Sequence, residues 1–366
     1  MISLFEHYPP LGHRLPYVSL GEFPTPVQKL DRLGKDMGIN HLYIKRDDLS
    51  GKVYGGNKTR KLEFLLGNAL STKSKEVLTF GYAGSNHCLA TAIYAQQVGL
   101  RSISMLMPQP NAHYVHRNLL MSHYCEAELH QYRNIPFVAL GTIYQFPRHG
   151  VKRGRFPQFI PPGGSSPLGA VGFVNAAFEL KEQITKGEIP EPDYIYVASG
   201  TTGTAVGLML GLRAANLKSR VISVRVTTEQ FVNRAKMTKL FHKTNSLLCS
   251  LDPSFPKFEF SEKDIDLRHG FFGQQYALFT KEGMEAVTRM EKTEGIKLEG
   301  TYTGKAFAGL IDDVEKRDLR DKVLLFWQTY NSRDFSDAIA TVDYHQLPRC
   351  FHRYFEDEVQ PLDTHS

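Results

Sequence analysis

The chain has 366 residues, 42% hydrophobic and 22% charged, the proportions of a globular protein with apolar material for two or three folding units. Its 44 basic and 38 acidic residues leave a net charge of +6, and the basic side chains are mostly scattered, which argues against a nucleic-acid binder. No apolar run approaches a membrane span, and residues 1–12 have neither a basic start nor a long apolar core, so neither a membrane role nor an export signal is expected. Cys88, Cys125, Cys249 and Cys350 are far apart and form no C-x-x-C pair, consistent with reduced thiols and a cytoplasmic location.

In chain order, strands and helices alternate, which predicts an α/β protein with largely parallel sheets. A strand at 41–45 leads to a glycine turn and an apolar helix that begins near Lys58. A strand at 76–80 and a loop at 81–86 precede a helix over 87–98, with Leu89, Ala92, Ile93 and Val98 on its apolar face. A buried strand at 102–107 ends at Pro108, a helix follows over 111–123, and Glu128 and Leu129 begin another strand.

Arg148, His149, Lys152, Arg153 and Arg155, with Phe146 and Phe156 nearby, read as a solvated loop between two strands. A glycine–proline turn at 161–166 opens a long helix over 168–186. Then come a strand at 194–198, a loop at 199–204, a helix over 205–215 and a strand at 221–226. Thr280 caps a helix over 281–293, another helix starts at Lys305, and a last buried strand covers 322–327. Residues 356–366 are acidic, polar and proline-containing and look like a loose tail.

Several loops carry candidate chemistry. The stretch from Gly51 to Thr59 nearly matches the nucleotide-binding pattern G-x-x-x-x-G-K-[ST], but Asn57 sits between Gly56 and Lys58 and misplaces the amine. A lysine in such a turn, partly withdrawn from water, has a lowered pKa and suits a Schiff base with an aldehyde cofactor. Ser199-Gly200-Thr201-Thr202-Gly203-Thr204 exposes backbone N–H groups at a helix start and reads as a phosphate cup. It has no lysine, and the chain lacks G-x-G-x-x-G there, which disfavours a nucleotide.

Gly84-Ser85-Asn86-His87 could hold a carboxylate at the next helix start, or simply cap that helix. Gly300-Thr301-Tyr302-Thr303-Gly304-Lys305 places a tyrosine and a threonine beside another helix start. His113, His116 and His123 have no carboxylate or thiolate company, so no metal site is expected.

The order of G-G-N-K-T-R-K-L-E, S-N, G-G-S-S-P-L-G-A-V-G, S-G-T-T-G-T and Y-T-G-K-A resembles the D-cysteine desulfhydrase and 1-aminocyclopropane-1-carboxylate deaminase family. These are fold type II pyridoxal-phosphate enzymes, and the likeness runs from about Pro24 to Leu310. It implies two open twisted α/β sheets of the tryptophan synthase β-subunit type, in a homodimer. The larger domain would comprise 1–60 and 170–345, the smaller 61–169, with a tail over 346–366.

The resemblance also implies residue roles. Lys58 would be the Schiff-base lysine of pyridoxal 5'-phosphate, and Gly200, Thr201, Thr202, Gly203 and Thr204 would bind its phosphate. Asn86 would meet the 3'-oxygen, while Ser85, Asn86 and His87 would hold the carboxylate of a small amino-acid substrate. Tyr302 and Tyr276 would face the substrate side chain, and Thr303 the pyridine nitrogen.

The deaminases carry a glutamate where this chain has Thr303 and a leucine where it has Thr329; the desulfhydrases carry threonine at both. A hydroxyl leaves the ring a shallower electron sink, which still permits α,β-elimination. The expected activity is therefore a lyase on D-cysteine. The deaminase or another β-eliminating lyase, on L-cysteate for instance, is the alternative within the class; a non-catalytic cofactor-binding homologue is the alternative outside it. Gln328-Thr329-Tyr330-Asn331 replaces the family's His-Thr-Gly-Gly turn, and His87 stands for its glutamine.

Overall fold

The computed structural model describes residues 2–364. In chain order its elements are α1 (Ser3–His7), α2 (Pro9–Arg14), β1 (Val27–Lys29), α3 (Asp31–Met37), β2 (His41–Arg46), α4 (Asn57–Ser71) and β3 (Glu76–Tyr82). There follow α5 (Asn86–Gln97), β4 (Arg101–Met107), α6 (His113–Tyr124), β5 (Glu128–Gln131), α7 (Ile135–Arg153), β6 (Gln158–Phe159) and α8 (Pro167–Thr185). The remainder is β7 (Tyr194–Ser199), α9 (Gly203–Ala214), β8 (Arg220–Arg225), α10 (Arg234–Leu251), β9 (Asp266–Arg268), α11 (Lys281–Glu294), α12 (Thr303–Lys316), β10 (Val323–Gln328), α13 (Ser336–Ile339) and α14 (Arg353–Glu356).

Two sheets result. One runs β1-β2-β10-β7-β8-β9 and is parallel except for the antiparallel edge strand β1; the other, β5-β4-β3-β6, is wholly parallel. Parallel strands need crossover connections, so helices cover both faces of each sheet and the central strands are largely buried. On the larger sheet, Phe173, Phe178 and Phe241 from α8 and α10 pack on one face, while Met290 and Phe307 from α11 and α12 pack on the other. Val138 and Phe146 of α7 lie against Leu78, Ile103 and Met105 of the smaller sheet.

A buried charge network ties α4 to the larger sheet and α8. Arg60 donates to Asp47 at 2.7 Å and to Glu179 at 2.8 Å, and Lys45 pairs with Glu179 at 2.5 Å. Trp327 Nε1 donates to Asp47 at 2.7 Å. Removing one member of such a group strands the others, at a cost of about 3–5 kcal/mol.

Two expectations fail. The basic cluster at Arg148–Arg155 is not a loop between strands: Arg148, His149, Lys152 and Arg153 belong to the 19-residue α7, which continues through Pro147. Glu76 and Glu128 hold it down: each lies beside a ring nitrogen of His149, at 2.9 and 3.3 Å, and they accept from Arg153 and Arg148 respectively. Nor do residues 356–364 hang loose; residues 365–366 lie outside the described ones. Gln360 is 7% exposed, and Asp363 accepts from the backbone of His113 at 2.6 Å.

Candidate active site

The turn before α4 needs its glycines. A β-carbon on Gly55 would stand 1.8 Å from the Asp48 carbonyl oxygen, and Gly56 has φ 96, outside the range of most side chains. Gly56 N donates to Asp47 O at 2.6 Å and Asn57 N to Thr329 O at 3.1 Å, stitching the turn to the end of β10. Lys58 therefore starts its helix inside a cleft of about 220 Å³ between the sheets, at the carboxyl ends of their strands. Burial lowers its pKa to about 8, opposed only by a weak contribution from Cys88. Among the described residues no carboxylate pairs with it. A neutral, nucleophilic amine is thus accessible near neutral pH.

At one end of the cleft are Gly200, Thr201 and Thr204, while Thr202 and Gly203 sit behind them in the wall. Gly203 N donates to Ser165 Oγ at 3.0 Å, and that hydroxyl donates to Thr201 Oγ1 at 2.8 Å. A β-carbon on Gly200 would lie 2.6 Å from Tyr302 Cε1, so the loop can pass there only as glycine. Lys61, which sequence reasoning missed, is 1% exposed and has a single oxygen partner, Gly163 O at 3.1 Å. Burial, then the neighbouring Lys58, pushes its pKa far below the ordinary value. A buried amine beside a helix N-terminus, with no carboxylate to answer it, is a donor set matched to a phosphate. Its spacing of three from Lys58 along a helix was the signal that could have found it.

Ser85, Asn86 and His87 line the side wall. Ser85 Oγ accepts from Cys88 N at 3.2 Å, a helix cap, and Asn118 of α6 donates to Asn86 Oδ1 at 3.0 Å. Asn86 lines the cleft, its oxygen is occupied, and its NH2 has no hydrogen-bond partner among the described residues. His87 Nε2 lies 2.9 Å from Thr79 Oγ1, which donates to Ile160 O at 3.1 Å. The buried Nδ1 makes no hydrogen bond among the described residues. Burial and the nearby lysines hold this ring neutral.

Two tyrosines face Lys58 from the larger half. Tyr276 and Tyr302 share a hydrogen bond between their hydroxyls, and Tyr276 stacks on Tyr82 with ring centroids 4.2 Å apart. Burial raises the pKa of both cleft-facing phenols, which therefore remain protonated. Thr303 does not reach the cleft: its hydroxyl accepts from Glu299 N at 2.9 Å, below the surface. Thr329 and Glu299 line the cleft instead. The Glu299 carboxylate accepts from the amides of Thr301, Tyr302 and Thr303 at 2.7–2.8 Å, so it anchors the turn that carries Tyr302. Tyr330 of the altered turn also lines the cleft, and its hydroxyl accepts from Arg117 of α6.

An amine poised as a nucleophile beside a phosphate-shaped cradle defines a pyridoxal-phosphate site. The chain belongs to the family of pyridoxal-phosphate dependent enzymes, whose model matches residues 18–328. Its relatives narrow the comparison. A Pyrococcus abyssi protein named "Putative 1-aminocyclopropane-1-carboxylate deaminase" is 33% identical over 313 residues, 85% of this chain and 90% of that one. A D-cysteine desulfhydrase of Yersinia pseudotuberculosis is 33% identical over 321 residues, 85% and 93% of the two chains. The solved structure of an ACC deaminase homologue superposes with a TM-score of 0.75 at 31% identity, covering 93% of this chain and 99% of that one. A threonine deaminase from Solanum lycopersicum shares the fold alone, with a TM-score of 0.60 at 15% identity and 93% and 94% coverage. The architecture is fold type II, and pyridoxal phosphate is the cofactor.

Proposed function

We propose that the protein is a lyase that eliminates the β-substituent of a small amino acid, with D-cysteine as substrate and pyruvate, ammonia and hydrogen sulfide as products. The observation that carries this is the unpaired Lys58 amine, set between a phosphate cradle and two protonated phenols. Bound there, pyridoxal phosphate supplies an electron sink for the substrate α-carbon. Gly200, Thr201 and Thr204 at the N-terminus of α9, with Lys61, would hold its phosphate, and the Asn86 NH2 would meet its 3'-oxygen.

Thr329 rather than Thr303 serves the pyridine nitrogen, because only Thr329 lines the cleft. A hydroxyl there favours elimination over ring opening. Ser85, Asn86 and His87, with the first amides of α5, take the substrate carboxylate. The Lys58 amine removes the α-proton, and the Tyr276–Tyr302 pair hands a proton to the departing sulfur. Cytoplasmic location and a homodimer belong to the same reading, and the homodimer is checked by sedimentation.

The Pyrococcus relatives and the ACC deaminase homologue favour one second reading, deamination of 1-aminocyclopropane-1-carboxylate. A panel of D- and L-cysteine, L-cysteate and the cyclopropane acid, assayed for keto acid and sulfide, separates the two. Pyruvate with sulfide from D-cysteine is expected. 2-Oxobutyrate from the cyclopropane acid would transfer the assignment, and bound cofactor with no product from any member would mark a non-catalytic homologue.

A further inference from the structure

Tyr276 has no regular element to hold it. It lies in the irregular stretch between β9 and α11, and the next residue, Ala277, has φ 63, a left-handed conformation that side chains rarely adopt. The backbone that follows is held by side chains drawn from elsewhere. Gln360 Oε1 accepts from Phe279 N at 2.6 Å, and Gln360 Nε2 donates to Ala277 O at 3.1 Å. Between those contacts Lys305 Nζ donates to Leu278 O at 2.6 Å. A primary amide offers donor and acceptor together, so it can pair with an N–H and a C=O two residues apart as a neighbouring strand would.

The clamp is itself anchored to the opposite wall of the cleft. Gln360 N donates to Asn111 O at 3.0 Å, and the Asn111 side chain donates to the carbonyls of Tyr354 and Asp357 at 3.0 and 2.8 Å. Tyr354 Oη accepts from Gln109 N at 3.1 Å, and the Gln109 side chain accepts from Gly84 N at 2.9 Å, at the entry to the 84–87 loop. One chain of hydrogen bonds therefore runs from the carboxylate loop through the C-terminal segment to the backbone behind Tyr276.

We propose that Gln360 is a positioning residue for the reaction. Acting through the 277–279 backbone, it holds the Tyr276 phenol against Tyr302 and Tyr82. The kinetic consequence rests on the lyase reading given above; the clamp itself does not.

The test uses the full chain with cofactor bound. Gln360→Met keeps the volume and removes both hydrogen bonds, and Gln360→Glu keeps the acceptor for Phe279 N alone. Amide hydrogen exchange followed by mass spectrometry should show faster exchange in peptides covering 270–280 and no change in those covering 57–66. With cofactor absorbance retained, kcat should fall about 10-fold in Gln360→Met, as expected for a misplaced group at a reacting centre, and less in Gln360→Glu. In a Tyr276→Phe background the same substitutions should lower kcat no further. Unchanged exchange at 270–280 would overturn the clamp whatever the substrate. An equal fall in kcat with and without the Tyr276 hydroxyl would overturn the positioning role. If the parent protein turned over no member of the panel, the lyase reading would fall while the exchange comparison still decided the clamp.

Discussion

Arg60 and Lys61 are neighbours on α4, each 1% exposed, yet the chain treats their charges in opposite ways. Arg60 is answered by Asp47 and Glu179 and holds the helix to β2 and α8. Lys61, like Lys58 one turn earlier, is left without a carboxylate. Buried charge that is paired builds structure; buried charge that is unpaired waits for a ligand or gives up its proton. The first turn of α4 thus separates stability from chemistry over four residues.

Four substitutions or titrations would break or sharpen that contrast, beginning with the largest. Lys58→Ala should lower turnover by at least ~1000-fold while the melting temperature of the cofactor-free protein is unchanged, because the missing amine is nucleophile and base together. A variant retaining activity would place the chemistry elsewhere. Arg60→Met should lower unfolding free energy by about 3–5 kcal/mol, read by denaturant titration, since Asp47 and Glu179 lose their cation.

The Arg60→Met difference should also depend on acid. Burial alone would raise the Glu179 pKa, but Arg60 and Lys45 outweigh it and hold the carboxyl down at about 2, from an ordinary 4.5. A depressed carboxylate contributes stability that is present above its unfolded pKa and lost as pH falls through the folded one. The gap between parent and variant should therefore narrow from pH 4.5 toward 2.

Lys61→Met should raise the dissociation constant for the cofactor by about 10-fold, one charge-assisted contact, with little change in melting temperature of the cofactor-free protein. A marked loss of stability instead would make Lys61 a structural residue. The smallest effect is a titration. Acylation of Lys58 in the cofactor-free protein, followed by peptide mass spectrometry, should rise with a midpoint near pH 8, since only the neutral amine reacts. A midpoint above 10 would mean the amine is as well hydrated as a surface lysine.

The parts legible in the sequence were those whose local pattern has one structural solution. Strand–helix alternation gave the parallel sheets, and the glycine turn before Lys58 gave the start of α4. What was not legible depended on distant partners. α10 (Arg234–Leu251) was not read at all, although its buried Met237, Leu240, Phe241 and Leu248 are spaced along one helix face. α7 was obscured by Pro147 and Gly150, whose breaking tendency is overridden by packing on the smaller sheet. Adjacent residues pointed the wrong way for Thr303: one step along a helix start turned its hydroxyl onto Glu299, while Thr329, far away in sequence, faces the cleft. The C-terminal segment looked unstructured because its order comes from Asn111, Phe279 and Ala277 rather than from its own composition.

The most direct measurement is reduction of the cofactor-loaded protein with borohydride, followed by proteolysis and mass spectrometry. A phosphopyridoxyl group on the peptide containing residue 58, and on no other, is the predicted result. The same mass increment on Lys61 or Lys305, or on no lysine, would contradict the assignment of the reactive amine.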